Sequence, residues 1–137
     1  MSLNIFEYVN NLAVEIHTQG DIIFREGDES NGRMYFVAEG ELSVLQNVNG
    51  RTIELNRLQA GSFFGEMAII THGRRMATVR VESKKAKLGY LDEQIFMKIG
   101  KINPLFLYSL LKLVINRLAM IEEQIDKALT KRANNRS

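Results

Sequence analysis

Between Phe64 and Val79 the chain runs Phe-Gly-Glu-Met-Ala-Ile-Ile-Thr-His-Gly-Arg-Arg-Met-Ala-Thr-Val. These are groups that can hold a small molecule carrying both a sugar hydroxyl and a phosphate. An arginine supplies a permanently charged fork that fits phosphate oxygens, and two stand here, Arg74 and Arg75. The Glu66 carboxylate can accept hydrogen bonds from hydroxyls. Gly65 lets backbone approach a ligand closely, and N–H groups opening a helical turn favour an anion. The bland alternative is a Glu66–Arg75 ion pair that fixes the loop and binds nothing. A surface pair of that kind contributes only about 0–1 kcal/mol.

Other chemistries find less support. The two histidines, His17 and His72, lie far apart in sequence, and no carboxylate pair sits at metal-ligand spacing. His17 reads as a surface or strand-edge residue, and His72, in the loop, has no nucleophile or orienting partner in the sequence around it. The chain has no cysteine, which excludes disulfides, zinc–thiolate sites and cysteine catalysis. It has no glycine-rich loop of the nucleoside-triphosphate type. The expectation is no enzyme, no metal and no cofactor. Lys127, Lys131, Arg132 and Arg136 form a basic tail, which reads as a solvated end.

Strands must position the site. Ile22–Phe24, Met34–Val37, Leu42–Leu45, Thr52–Leu55, Thr78–Val81 and Lys87–Leu91 are short apolar or β-branched runs broken by glycine. Asn49-Gly50 between two of them signals a type I′ hairpin turn, which needs positive φ at both central residues. Closely spaced strands from about residue 14 to 92 predict an antiparallel barrel or roll. Before them, Ile5, Phe6, Val9 and Leu12 are spaced for a short helix over 4–12.

Helices follow, over about 93–130. Asp92 can cap one that runs to Ile99, which Gly100 would end. Asn103-Pro104 opens a longer one, with proline at the first position, where its missing N–H costs nothing. Along it Leu107, Leu111, Val114, Leu118, Ile121, Ile125 and Ala128 recur at alternating steps of four and three, an a/d heptad seam. Leu110, Leu113 and Ile115 widen the apolar face in the first half only. The pattern predicts that this half packs on the β-domain while the seam meets a partner helix in a homodimer. The competing reading makes the whole stripe intramolecular core.

Composition sets outer limits. With 137 residues, 45% of them hydrophobic and 25% charged, the chain suits a single domain, 1–137, with its own core. A net charge of +2 does not by itself imply nucleic acid. No apolar run reaches the roughly 18 residues of a membrane span, and the N-terminus lacks a secretory layout. The expectation is a cytoplasmic protein with no membrane partner.

Three segments carry a resemblance: Gly20-Asp-Ile-Ile-Phe-Arg-Glu-Gly-Asp28, Met34-Tyr-Phe-Val-Ala-Glu-Gly-Glu-Leu-Ser-Val44, and Phe64-Gly-Glu66 with Arg75-x-Ala77. They resemble the cyclic-nucleotide-binding domain family, which includes the catabolite activator protein, the regulatory subunits of cyclic-AMP-dependent kinase and cyclic-nucleotide-gated channels. The first two segments mark the fold; the third is the specific part. The resemblance implies an eight-stranded β-roll, mainly β, with flanking helices. It implies that Glu66 binds the ribose 2′-hydroxyl, that Gly65 and the N–H groups after it at Met67 and Ala68 approach the cyclic phosphate, and that Arg75 pairs with its charge. Arg75 rather than Arg74 precedes x-Ala, with Ala77 in the family's place.

The family usually has a small residue where Met76 stands. No hydroxyl is then available to phosphate or purine, which favours cyclic AMP over cyclic GMP as regulatory ligand. Arg117 matches an arginine that lies near the glutamate in the catabolite-activator branch; closing over Glu66 and standing solvated are both open. The branch's adenine-reaching hydroxyl positions hold Ile121 and Glu122. Only about seven residues follow the heptads, too few for a helix-turn-helix DNA reader, so direct DNA binding is not expected. Two functions remain. One is a cyclic-nucleotide sensor that signals through the long helix to an unknown effector. The other is an interaction module with a degenerate pocket.

Overall fold

The computed structural model describes residues 13–70 and 72–134. The helix expected over 4–12 lies outside them. Eight strands, β1 (Ala13–Thr18), β2 (Ile22–Phe24), β3 (Met34–Glu39), β4 (Leu42–Val48), β5 (Arg51–Leu58), β6 (Phe63–Phe64), β7 (Thr78–Val81) and β8 (Lys85–Leu91), precede two long helices. A single helical turn, α1 (Met67–Ile70), interrupts them; α2 (Glu93–Ile102) and α3 (Pro104–Asn134) follow. The strands form two four-stranded sheets, β1-β8-β3-β6 and β2-β7-β4-β5, and all their pairings are antiparallel. This is the expected β-roll with a long C-terminal helix.

β3 shows why the Met-Tyr-Phe-Val run has no polar alternation. Tyr35 and Val37 face the second sheet with Leu42, Phe64, Val79 and Leu88. Met34 and Phe36 face the helices with Phe63, Phe96, Ile99, Phe106 and Leu110. Both faces are buried, so both are apolar. The Asn49-Gly50 turn has φ of 54° and 81°, as type I′ geometry requires.

The helical corner departs from expectation. Asp92 caps α2 by accepting from Ile95 N at 2.9 Å, but Gly100 does not end the helix, which continues to Ile102. A Cβ on Gly100 would lie 2.9 Å from the Leu107 side chain. This glycine serves the close packing of α2 on α3, and Asn103 makes the break between them. Asn103 Oδ1 accepts from Leu105 N at 3.1 Å, the N-cap bond that starts α3.

α3 spans 31 residues, about 46 Å at 1.5 Å per residue. The face that packs on the β-roll carries Phe106 and Leu110, both buried, and Val114. The heptad seam does not lie wholly on that face. Leu107, Leu111 and Leu118 are exposed, while Val114, Ile121, Ile125 and Ala128 are half-buried. Of the residues expected to widen the packed face, Leu110 does so and Ile115 is exposed.

The expectation that nothing reaches membrane length needs a correction. Pro104–Lys131, 28 residues, is long and apolar enough in composition to cross a bilayer. That composition follows from one face meeting the β-roll and another standing exposed. The segment carries Lys112 and, at mid-length, Arg117, which is bonded to the β-roll.

Candidate functional site

The site begins with an aromatic floor. Phe64 on β6 stacks on Tyr35 of β3, with ring centroids 5.1 Å apart and planes 13° from parallel, and Phe24 of β2 tilts against both. The chain then turns at Gly65 with φ of 77°, a conformation that favours glycine. A Cβ there would meet Arg75 Nη1 at 2.9 Å. Glycine therefore lets the guanidinium lie against the backbone.

Arg75 is 6% exposed. Its Nη2 donates to Asn31 Oδ1 at 2.7 Å and Arg33 O at 3.0 Å, and its Nη1 to Gly65 O at 3.3 Å. Its guanidinium carbon lies 4.0 Å from the Phe24 ring centre, a cation–π contact. Burial lowers its pKa, against opposing pulls from Tyr35, Asp28 and Glu66. Arginine keeps its charge regardless. Three of its five N–H donors are used, which leaves Nε–H and one Nη1 hydrogen. Arg74 points elsewhere, to Gly27 O at 2.9 Å and Glu29 at 3.6 Å.

Glu66 is 5% exposed. Both its carboxylate oxygens accept from Arg117 Nη1 at 3.1 Å. Arg117 Nη2 also donates to Phe63 O. The arginine of α3 therefore does close on Glu66, spanning from the long helix to the loop before α1. Ala68 is buried, and its N–H closes the turn on Gly65 O at 3.1 Å.

Two adjoining cavities open here. One, of about 100 Å³, is lined by Phe24, Phe64, Gly65, Glu66, Met67, Arg75, Met76, Ala77 and Arg117, among others. The second, of about 110 Å³, is apolar, with Leu55, Val114, Leu118 and Ile121 around the one neutral amide, Gln46. Glu66, Met67, Met76, Ala77 and Arg117 line both. Every expected ligand residue except Ala68 lines the first cavity. Met76 is 58% exposed, and its carbonyl accepts from Gln46 Nε2 at 2.8 Å. Larger hollows of about 790 Å³ on α3 and about 430 Å³ on the second sheet's surface contain none of the expected ligand residues.

The rest of the chain adds no chemistry of another kind. His17 contacts Glu15 at 2.9 Å and Asp21 at 3.4 Å, and His72, well exposed, lies 3.5 Å from Glu93. Among the described residues no group of three His, Asp or Glu could hold a metal ion.

Sequence reasoning missed the loop between β2 and β3 as part of the site. Asn31 and the Arg33 carbonyl hold Arg75, and backbone bonds pair Gly27 N with Arg75 O and Arg75 N with Asp28 O, each at 2.8 Å. The signal available was a polar Asn31-Gly32 between the two segments read as marking only the fold.

The cyclic nucleotide-binding domain family model matches residues 15–103. The chain belongs to that family, whose domains are regulatory rather than catalytic. Among curated proteins, the type II regulatory subunit of cAMP-dependent protein kinase from Drosophila melanogaster is 34% identical over 88 residues, 64% of this chain and 23% of the relative. This chain thus spans about a quarter of that protein's length. Among solved structures, Thermus thermophilus catabolite activator protein superposes with a TM-score of 0.78 at 25% identity, covering 96% of this chain and 62% of the other. The regulatory domain of Toxoplasma gondii PKA with cAMP gives a TM-score of 0.62 at 28% identity, over 77% of this chain and 41% of that one.

Proposed function

We propose that this chain is a sensor that binds cyclic AMP in preference to cyclic GMP and passes occupancy to α3. One observation carries the reading: a buried arginine and a buried carboxylate line one cavity across a backbone turn that only glycine suits. Arg75 would take the cyclic phosphate through its unused donors. Glu66 would take the ribose hydroxyl, since a carboxylate offers about four acceptor sites and Arg117 uses two. The apolar second cavity would take the base. Its lining offers no hydroxyl, only the Gln46 amide, the Arg117 fork and the Glu66 carboxylate, which supports adenine over guanine. Arg117 and Leu118 would report the ligand to the long helix. The regulatory domain solved with cAMP adds support by kinship.

Isothermal titration with each nucleotide tests the reading. Cyclic AMP should bind, and more tightly than cyclic GMP. Arg75→Ala should abolish binding, and Met76→Ser should keep or improve it. No heat and no thermal shift with either ligand at millimolar concentration would overturn it.

A second reading is favoured by the cavity volumes. Each is well below the roughly 300–1,000 Å³ of ordinary ligand sites, as a module with a degenerate pocket would show. Met76→Ser that stays inert would support it. Both readings include a homodimer through α3, because Leu111 and Leu118 stand exposed on the seam. Size-exclusion chromatography with light scattering decides: a monomer at micromolar concentration refutes the dimer, and Leu118→Glu should dissociate one.

A further inference from the structure

The Arg75 cradle contains no anion. Its three acceptors are an amide oxygen and two backbone carbonyls, and its fourth contact is the face of Phe24. The two carboxylates that act on it do so without bonding it: Glu66 is paired with Arg117, and Asp28 accepts from the N–H of Arg25 at 2.9 Å. A buried charge is ordinarily paired, because removing it from water is costly. This one is bonded only to dipoles, and Asp28 and Glu66 act on it from beyond its hydrogen-bond partners.

Of the acceptors, only Asn31 is a side chain, and its amide is fixed at both ends. Its Oδ1 faces two donors, Arg75 Nη2 and Arg33 N at 3.1 Å. Its Nδ2 donates to the Tyr35 hydroxyl at 3.2 Å, and Tyr35 stacks on the Phe64 ring beside Gly65. The amide cannot be flipped without setting donor against donor. Replacing the Nδ2 amide by oxygen would keep the shape, since the Tyr35 hydroxyl can turn to donate. It would also give Arg75 a permanent internal counter-ion.

We propose that Asn31 is a positioning residue that sets the charge this site accepts. It aims Arg75 with a neutral amide, so that no directly bonded carboxylate competes with an incoming phosphate monoanion. The proposal deepens the nucleotide reading above and rests on it for the identity of the ligand, but not for the sign or size of the charge.

Asn31→Asp separates this role from loop scaffolding, because the two expected effects have opposite signs. Without ligand, N31D should melt at a higher temperature than the wild type at pH 7, and N31A somewhat lower. With ligand, N31D should lose at least tenfold in cyclic AMP affinity by calorimetry, and N31A less. The second probe is inorganic phosphate, compared with sodium chloride at equal ionic strength. It should raise the wild-type melting temperature by more than that of N31D.

An N31D protein that melts lower, fails to fold, or answers phosphate as the wild type does overturns the proposal. So does a wild type that does not respond to phosphate. If cyclic AMP gives no heat with the wild type while phosphate still separates the two proteins, the nucleotide reading fails and the role of Asn31 stands.

Discussion

Arg117→Ala strips the cation from a carboxylate that the fold has already taken out of water. The Glu66 and Arg117 side chains are 7% and 15% exposed, too buried for the small values of surface pairs to apply. The change deletes two charge-assisted contacts to Glu66 and one to the Phe63 carbonyl. Removing one partner of a buried pair costs about 3–5 kcal/mol. Some water will reach Glu66 through the space vacated by the side chain, so about 3 kcal/mol is expected. For a chain of this size that is a fall of roughly 10 °C in melting temperature. Urea denaturation at pH 7 measures it, and a double-mutant cycle with Glu66→Gln assigns it. Gln needs no counter-ion, so R117A should cost about 1 kcal/mol in the E66Q background, its lost packing and Phe63 bond. A coupling of about 2 kcal/mol is therefore expected. An R117A loss below 1 kcal/mol, or equal losses in both backgrounds, refutes the view that Glu66 depends on α3 for its charge.

Two further outcomes follow from local geometry. Gly40 has φ of 101°, and a Cβ there would lie 2.6 Å from Lys85 O and 2.8 Å from Ala86 Cα. Gly40→Ala should cost about 3 kcal/mol or more from strain and clash with backbone, whereas Gly65→Ala, whose main clash is with the Arg75 guanidinium and not with backbone, should cost less stability and more ligand affinity; melting curves and titrations on both variants check the contrast. The Glu82 carboxyl is held below its usual pKa by the Ser43 hydroxyl, at 2.6 Å, and by Arg80, at 2.7 Å. A folded pKa below the unfolded one gives stability that is present above the unfolded value, about 4.3, and lost as pH falls through the folded one. Ser43→Ala removes the larger cause, so its stability should decline less steeply than the wild type's between about pH 5 and 3; parallel urea-derived curves would contradict this.

What the sequence made legible was whatever depends on near neighbours. The Ile22–Phe24 and Thr78–Val81 strands match their sequence bounds, and Asn49-Gly50 turns as its φ preferences dictate. Phe63–Phe64, a strand of two residues, has no period to read. Gly100 was misread because a glycine late in a helix has the same local signature whether it ends the helix or admits a neighbour, and Leu107 decides between the two only after α3 folds back. The same limit hid the Arg75 cradle. Asn31 is 44 positions from Arg75, and nothing in either segment alone says that they meet. Glu66 and Arg117 are 51 apart, and only kinship with a family brought that pair into view.

The site's two charges do not stand in a ligand's way; its volume does. Arg75 retains two donors and Glu66 retains acceptor sites, so a phosphate and a hydroxyl could bind without breaking any bond described here. The cavities, at about 100 and 110 Å³, are too small for a nucleotide of conventional pocket size. The additional room must come from lining that can move. Met76 is exposed, unbranched and flexible, and it stands between the two spaces. The other movable wall is α3, which meets the second cavity through Val114, Arg117, Leu118 and Ile121. If Met76 swings out alone, the ligand is bound without news reaching the helix. If α3 gives way, binding and helix position are the same event, and ligand affinity then depends on whatever holds α3 in place. Met76→Ser tells the two apart: it should relieve the first constraint and leave the second, so affinity rises while α3's response to ligand is preserved.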